Sequence, residues 1–270
     1  MKNLKIGIIG CGAIGSKLAR VIDKDLSDKV IVSGICDSDK QKAIALQKEI
    51  KSKPDILDID ALIKKSDFVI EAASAKSSAD ILKKAVFAKK DIMLMSIGGL
   101  LGNEELLNKA NEEHIRVYLP SGAICGIDGV KAASQAKIKS ARLITRKPPK
   151  GLKGAPYIVE KNIDLDGIKE ETIIFNGTAS EAVKAFPANI NVSAILSLAG
   201  IGAKETRVTI IAVPGAEVNS HEIEVAGDFG KLTTKTENVS CPDNPKTSYL
   251  AVLSAIATLK QILSSVKIGA

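Results

Sequence analysis

Tryptophan is absent from this chain of 270 residues, and phenylalanine and tyrosine bring the aromatic share to only 3%. Aliphatic side chains and alanine must therefore fill the cores, and the stacking platforms that serve single-stranded nucleic acid are scarce. Histidine occurs only at His114 and His221, so imidazole chemistry has two places to come from. The four cysteines, Cys11, Cys36, Cys125 and Cys241, lie far apart and never form a CxxC pair. That spacing argues against a disulfide framework or a zinc site and for a reducing compartment, so no metal is expected. No run approaches the roughly 18 apolar residues needed to cross a bilayer. The N-terminus enters a strand pattern without the basic segment and cleavage site of a secretory leader. A cytoplasmic location with no membrane partner is the expectation.

What is present in excess is lysine. The net charge of +7 comes mostly from lysines along helical stretches such as 40–53 and 83–90, with acidic residues interleaved. Such a pattern reads as a solvated surface rather than a nucleic-acid interface. A modest positive field also draws in an anionic substrate and cofactor. Hydrophobic residues make up 45% of the chain, enough for globular cores.

From residue 5 to about 120, short apolar β-type runs alternate with longer runs of helical period. Strands are expected at 5–9, 30–36, 67–72, 92–96 and 116–119, with helices between them; Asp58 is placed to cap one of these. Alternation of this kind builds a parallel sheet covered by helices on both faces. After Pro120 the rhythm changes. A helix at 126–135, a strand at 141–145 and a Gly/Pro-rich loop precede helices at 178–185 and 191–199. Three runs at 206–213, 217–226 and 230–236 alternate like an antiparallel meander, which is an α+β signature. The expected fold is α/β: a doubly wound parallel-sheet domain over 1–120, plus a smaller α+β domain over 121–242. The second domain's sheet is expected to be open on one face. A last helix within 243–270 is expected to return to the first domain.

The segment Gly10-Cys11-Gly12-Ala13-Ile14-Gly15 fits G-x-G-x-x-G between a strand and a helix. Gly10 permits the tight turn, Gly12 lets backbone approach a pyrophosphate, and Gly15 lets the helix sit close to the strand. The first helical turn, with Ala13 and Ile14, offers free N–H groups to phosphate. Asp37 closes the second strand, where a carboxylate accepts the ribose hydroxyls of adenosine and repels a 2′-phosphate. These features predict a Rossmann pocket for NAD, with NADP possible because Lys40 and Lys42 are near.

Beyond the sheet, His114 ends a charged helix and reads as a surface residue. His221 starts an alternating strand of the second domain; facing its open side, it could reach the nicotinamide, or it is an ordinary surface histidine. The small residues at 120–127 suit close approach to a ring, and Cys125 offers a thiol that His221 could serve. Asn189 and Asn191 open a helix, where one amide could hold the cofactor's carboxamide and the other cap the helix. Arg146 and Lys147 precede a double proline and are candidate carboxylate partners, or a solvated basic turn.

Together the glycine fingerprint, PSGAICGIDG at 120–129, TRKPP at 145–149, FNGTASEAVKAFPANINV at 175–192, the His221 strand and CPDNPKTSYLAV at 241–252 resemble the L-aspartate dehydrogenase family. The resemblance spans essentially the whole chain. It implies oxidation of L-aspartate to iminoaspartate with NAD or NADP, the imine feeding NAD biosynthesis or hydrolysing to oxaloacetate and ammonia. It also implies that His221 is the catalytic histidine, that Ala123 and Asn189 contact the cofactor, and that the chain forms a homodimer. Under that reading His221 accepts a proton or activates water, and Arg146, Lys147 and Asn191 bind the substrate carboxylates. Two rivals remain open. An acylating semialdehyde dehydrogenase would use Cys125 as nucleophile, and a non-catalytic NAD-sensing regulator would use the fingerprint alone.

Overall fold

The computed structural model describes residues 3–187, 190–242 and 244–269. Two compact units emerge, one of the described residues up to Pro120 with Val252–Ile268, the other of Ser121–Ala251 with Gly269.

The first unit runs β1 (Leu4–Ile9), α1 (Ala13–Asp25), β2 (Val30–Cys36), α2 (Lys40–Glu49), β3 (Asp55–Ile56), α3 (Ile59–Lys65), β4 (Phe68–Glu71), α4 (Ala75–Phe87), β5 (Asp91–Leu94), α5 (Glu105–Glu112) and β6 (Val117–Tyr118). The six strands are all parallel, in the order β3-β2-β1-β4-β5-β6. All four residues of β4 are buried, as expected for a central strand covered on both faces. Helix starts follow local chemistry: Asp39 accepts from Gln41 N at 3.0 Å and Asp58 from Ala61 N at 2.8 Å. The chain order reverses between β1 and β4, and crevices that bind ligands form at the carboxyl ends of such a switch.

The second unit contains α6 (Ile127–Ala133), β7 (Ile138–Lys147), α7 (Pro156–Glu160), β8 (Thr172–Thr178), α8 (Ala179–Ala185), α9 (Asn191–Ala199), β9 (Arg207–Ala212), β10 (Asn219–Gly227), β11 (Gly230–Asn238) and the hairpin β12 (Ser240–Cys241)–β13 (Asn244–Ser248). Its five-stranded sheet has the order β11-β10-β7-β9-β8. This corrects the expected meander. β7 sits between β9 and β10, pairing parallel with β9 and antiparallel with β10, so the sheet is mixed. The three alternating runs carry the right period, but period does not say which strand becomes whose neighbour. β8 and the hairpin at 240–248 are also additions to the sequence reading, and the second unit extends to Ala251 rather than ending at 242.

Three of the few aromatic side chains, Tyr157, Phe175 and Phe186, gather beside this sheet with ring centroids 5.5 to 5.6 Å apart. α8 begins with a capping box, in which Thr178 Oγ1 accepts from Glu181 N and Glu181 accepts from Thr178 N.

A final helix, α10 (Tyr249–Ile262), inserts Ala255 and Leu259 into the core of the first unit with Ile6, Ile8 and Leu18. No helix among the described residues is long and apolar enough to cross a membrane.

Among the glycines of the first unit, Gly15 leaves the least room for a side chain, since a Cβ there would lie 1.8 Å from the carbonyl oxygen of Gly10. Gly15→Ala is expected to push α1 off the end of β1 and lower stability by about 2 kcal/mol or more. Urea unfolding checks this, and an unchanged midpoint would refute it.

Candidate active site

In the first unit the glycine loop leaves β1 directly under the switch point. Gly10 has φ +102°, and a Cβ there would lie 2.3 Å from the carbonyl oxygen of Ala72, just past β4. At Gly12 the situation is opposite, because a Cβ would meet nothing within 4 Å. Gly12 is also the N-cap of α1, which has no side-chain cap and no acid in its first turn. The helix ladder begins with Ser16 N donating to Gly12 O at 2.9 Å, leaving the amides of Ala13, Ile14 and Gly15 ahead of it. An open, uncapped helix start with glycine at its lip fits a pyrophosphate.

Asp37 follows β2 and does more than the sequence suggests. Its Oδ2 accepts from Cys11 N at 2.7 Å and its Oδ1 from Asp39 N at 2.8 Å. The carboxylate therefore ties the glycine loop to the end of β2, with further lone pairs available to ribose hydroxyls. Burial, reinforced by the negative charge of Asp37, pushes the Cys11 thiol up to about 12, so it stays a protonated hydrophobe.

The sequence reading missed Glu71, the last residue of β4, which is fully buried. Oε1 accepts from Ala73 N at 2.8 Å and Oε2 from Ser96 N at 2.9 Å, so one carboxyl spans the loops after β4 and β5. Burial raises its pKa, and the amide hydrogen bonds oppose that rise. The visible signal is an acid closing an apolar strand (Phe68-Val69-Ile70-Glu71) next to the fingerprint strand.

In the second unit, register sorts the side chains. Thr145 pairs across from His221 on one side and Ile210 on the other, so these share a face with Leu143 and Lys147. Helices α8 and α9 cover that face, where Thr145 and Lys147 line a small pocket with Phe186, Ile190 and Ser193. His221 is thus on the covered side and only 5% exposed, neither on the open face nor at the surface, the two places the sequence reading left open for it. The alternation of β10 was legible; the face it presents depends on what packs above it.

The imidazole Nδ1 lies 3.0 Å from Thr145 Oγ1, in a fully buried bond. Burial, assisted by the Lys147 charge, lowers the His221 pKa to about 3, so the ring is neutral at physiological pH. Desolvation likewise lowers Lys147 to about 8. Arg146 goes the other way. One residue along β7 from Lys147, it projects to the opposite face and pairs with Glu171 at 3.1 Å and Glu222 at 3.2 Å. The two basic residues that look equivalent in sequence are separated by the pleat.

The loop before α6 hangs from β11. Thr236 Oγ1 donates to Ala123 O at 2.8 Å, Asn238 Nδ2 donates to the same oxygen at 3.0 Å, and Thr234 Oγ1 donates to Cys125 O at 3.1 Å. Ala123 is thereby held beside Thr236, the cross-strand partner of His221. Cys125 is exposed and makes no hydrogen bond to His221. Asn191 is the first residue of α9, and Asn189 lies outside the described residues. His114 follows α5 in a left-handed conformation at φ 57°. Among the described residues no cluster of His, Cys, Asp or Glu could hold a metal ion.

Comparison with known proteins spans nearly all of the chain. Residues 128–262 match the family described as aspartate dehydrogenase, C-terminal, and residues 10–120 match homoserine dehydrogenase, NAD binding domain. The L-aspartate dehydrogenase of Methanosarcina mazei is 50% identical over 270 residues, spanning 98% of this chain and 99% of the relative. That of Methanosarcina barkeri is likewise 50% identical over 270 residues with the same coverage. The crystal structure of aspartate dehydrogenase from Thermotoga maritima superimposes with a TM-score of 0.77 at 25% identity, covering 99% of this chain and all of that one.

The His221 ring carries a pH signature. Its pKa is about 3 in the folded protein against 6.5 for an ordinary histidine, so between those values the unfolded chain binds a proton that the native state refuses. That contribution to stability is complete above pH 6.5 and is lost as pH falls toward 3. Replacing His221 by Gln is expected to flatten the loss of stability across this window relative to the parent. Parallel stability–pH curves would show that the ring is not held neutral by burial.

Proposed function

The chain belongs to the aspartate dehydrogenase family, and on that premise we propose that it oxidises L-aspartate with a nicotinamide dinucleotide. The observation that carries this reading is the pair of nitrogen groups, Lys147 and His221, sharing the covered face of the second sheet, both lowered in pKa by burial. Family membership makes the chain an oxidoreductase, and its first unit has the dinucleotide-binding fold.

L-Aspartate arrives with its amine as an ammonium, which has no lone pair to drive departure of the Cα hydride. A proton must leave the nitrogen first, and a nearby group of suitable pKa must take it. A bound nicotinamide supplies the hydride acceptor. The products are iminoaspartate, the reduced dinucleotide and a proton. Water then converts the imine to oxaloacetate and ammonia, unless it is drawn into assembly of a pyridine ring, the fate proposed here for the physiological reaction. When charged, Lys147 suits a substrate carboxylate; Arg146, occupied by Glu171 and Glu222, is left out of this role. The open, uncapped start of α1 supports pyrophosphate binding, and Ala123 and Asn189 are proposed to contact the nicotinamide end.

NAD is proposed as the preferred cofactor because Asp37 stands at the end of β2 as a fixed carboxylate, with each oxygen engaged by one amide. A 2′-phosphate brought there would meet like charge.

Formation of reduced dinucleotide, followed by its near-ultraviolet absorbance, is expected with L-aspartate and not with unrelated amino acids. His221→Ala should lower turnover roughly 10²-fold or more while dinucleotide affinity holds. Tight dinucleotide binding with no turnover on L-aspartate would instead favour a sensor. For the cofactor, Asp37→Asn keeps an oxygen acceptor but removes the charge. Its ratio of kcat/KM for NADP over NAD should rise about tenfold or more; an unchanged ratio would place the selectivity elsewhere.

A further inference from the structure

Thr145 is 3% exposed, and its hydroxyl makes a single hydrogen bond among the described residues, the one to His221 Nδ1. A threonine hydroxyl has one proton to give and lone pairs to receive with. If Nδ1 carried the ring proton, it would donate to Oγ1, and the hydroxyl proton of Thr145 would be left buried with no acceptor. If the hydroxyl donates to the Nδ1 lone pair, both groups are satisfied. An orphaned buried donor is the costly alternative, by roughly 1–3 kcal/mol. The ring is neutral, so it carries only one proton, and that proton must then sit on Nε2. Lys147 influences the ring through space but makes no hydrogen bond to it that would reverse this order.

We infer that Thr145 holds His221 as the Nε2–H tautomer, so that His221 meets its substrate as a hydrogen-bond donor and not as the base. The consequence for L-aspartate rests on the activity proposed above; the tautomer itself does not. A dicarboxylate offers an oxygen acceptor to Nε2–H. The proton that leaves the substrate ammonium then goes to an acceptor other than the ring, as the nitrogen lone pair drives the hydride to the dinucleotide. Thr145 is therefore a positioning residue, acting on the substrate only through the ring it orients.

Because the chain has two histidines, a His114→Gln background leaves one imidazole to observe. Long-range proton–nitrogen NMR correlations of the His221 ring, recorded without substrate, report which nitrogen is protonated. The expected result is Nε2–H in the parent and in Thr145→Ser, with an Nδ1–H population emerging in Thr145→Val. An Nδ1–H ring in the parent, or a Thr145→Val spectrum identical to the parent's, overturns the inference. In steady-state kinetics Thr145→Val should raise KM for L-aspartate about tenfold with dinucleotide affinity unchanged, and Thr145→Ser should restore it. An Nε2–H ring in a chain that never oxidises L-aspartate would refute the activity and leave the tautomer standing.

Discussion

The pleat of one strand decides what this protein can do. β7 is bonded on both edges, antiparallel to β10 and parallel to β9, so none of its residues can rotate to the other face without breaking two ladders. Thr145 and Lys147 are therefore held under the helices with His221, and Arg146 is held away from them. α8 and α9 cover Lys147 on that face, and His221 is buried on it as well, so desolvation lowers the pKa of both nitrogen groups. The chemistry proposed here depends on that shared desolvation: an amine that can be neutral near pH 8 and an imidazole that does not charge.

The same two-residue period organises the neighbouring loop. Thr234, Thr236 and Asn238 alternate along β11 and reach the backbone of Ala123 and Cys125. Asn238 Nδ2 also donates to Thr236 Oγ1 at 3.1 Å, closing a triangle on the Ala123 carbonyl. In the first unit, Glu71 does comparable work with a single buried carboxyl between Ala73 and Ser96. Each device places buried polar groups where leaving them unpaired is expensive, so the loops they hold have few alternatives.

Much of the first unit was legible because its determinants are local. The alternating strand and helix periods, the aspartates that cap α2 and α3, and the glycine loop each express constraints carried within a few residues. The second unit was legible in its elements but not in their arrangement. The runs forming β9, β10 and β11 have strand period, yet nothing in them announces that β7 would come between β9 and β10. β8 was hidden because its residues 172–178 end in Asn176-Gly177-Thr178, a polar run that reads as a helix entry and does serve as one.

The site divides along the same line. By itself the sequence determined the dinucleotide loop, the family resemblance, and the short roster of groups that could act, since histidine occurs twice and tryptophan never. Only the tertiary structure decided that His221 lies on the covered face and bonds to Thr145, which is 76 residues away in the chain. It also decided that adjacent Arg146 and Lys147 part company, and that Asp37 braces the glycine loop. The physical reason is that residue type and spacing set what a side chain can do locally. Burial, protonation state and hydrogen-bond partner are properties of the neighbours that folding brings to it.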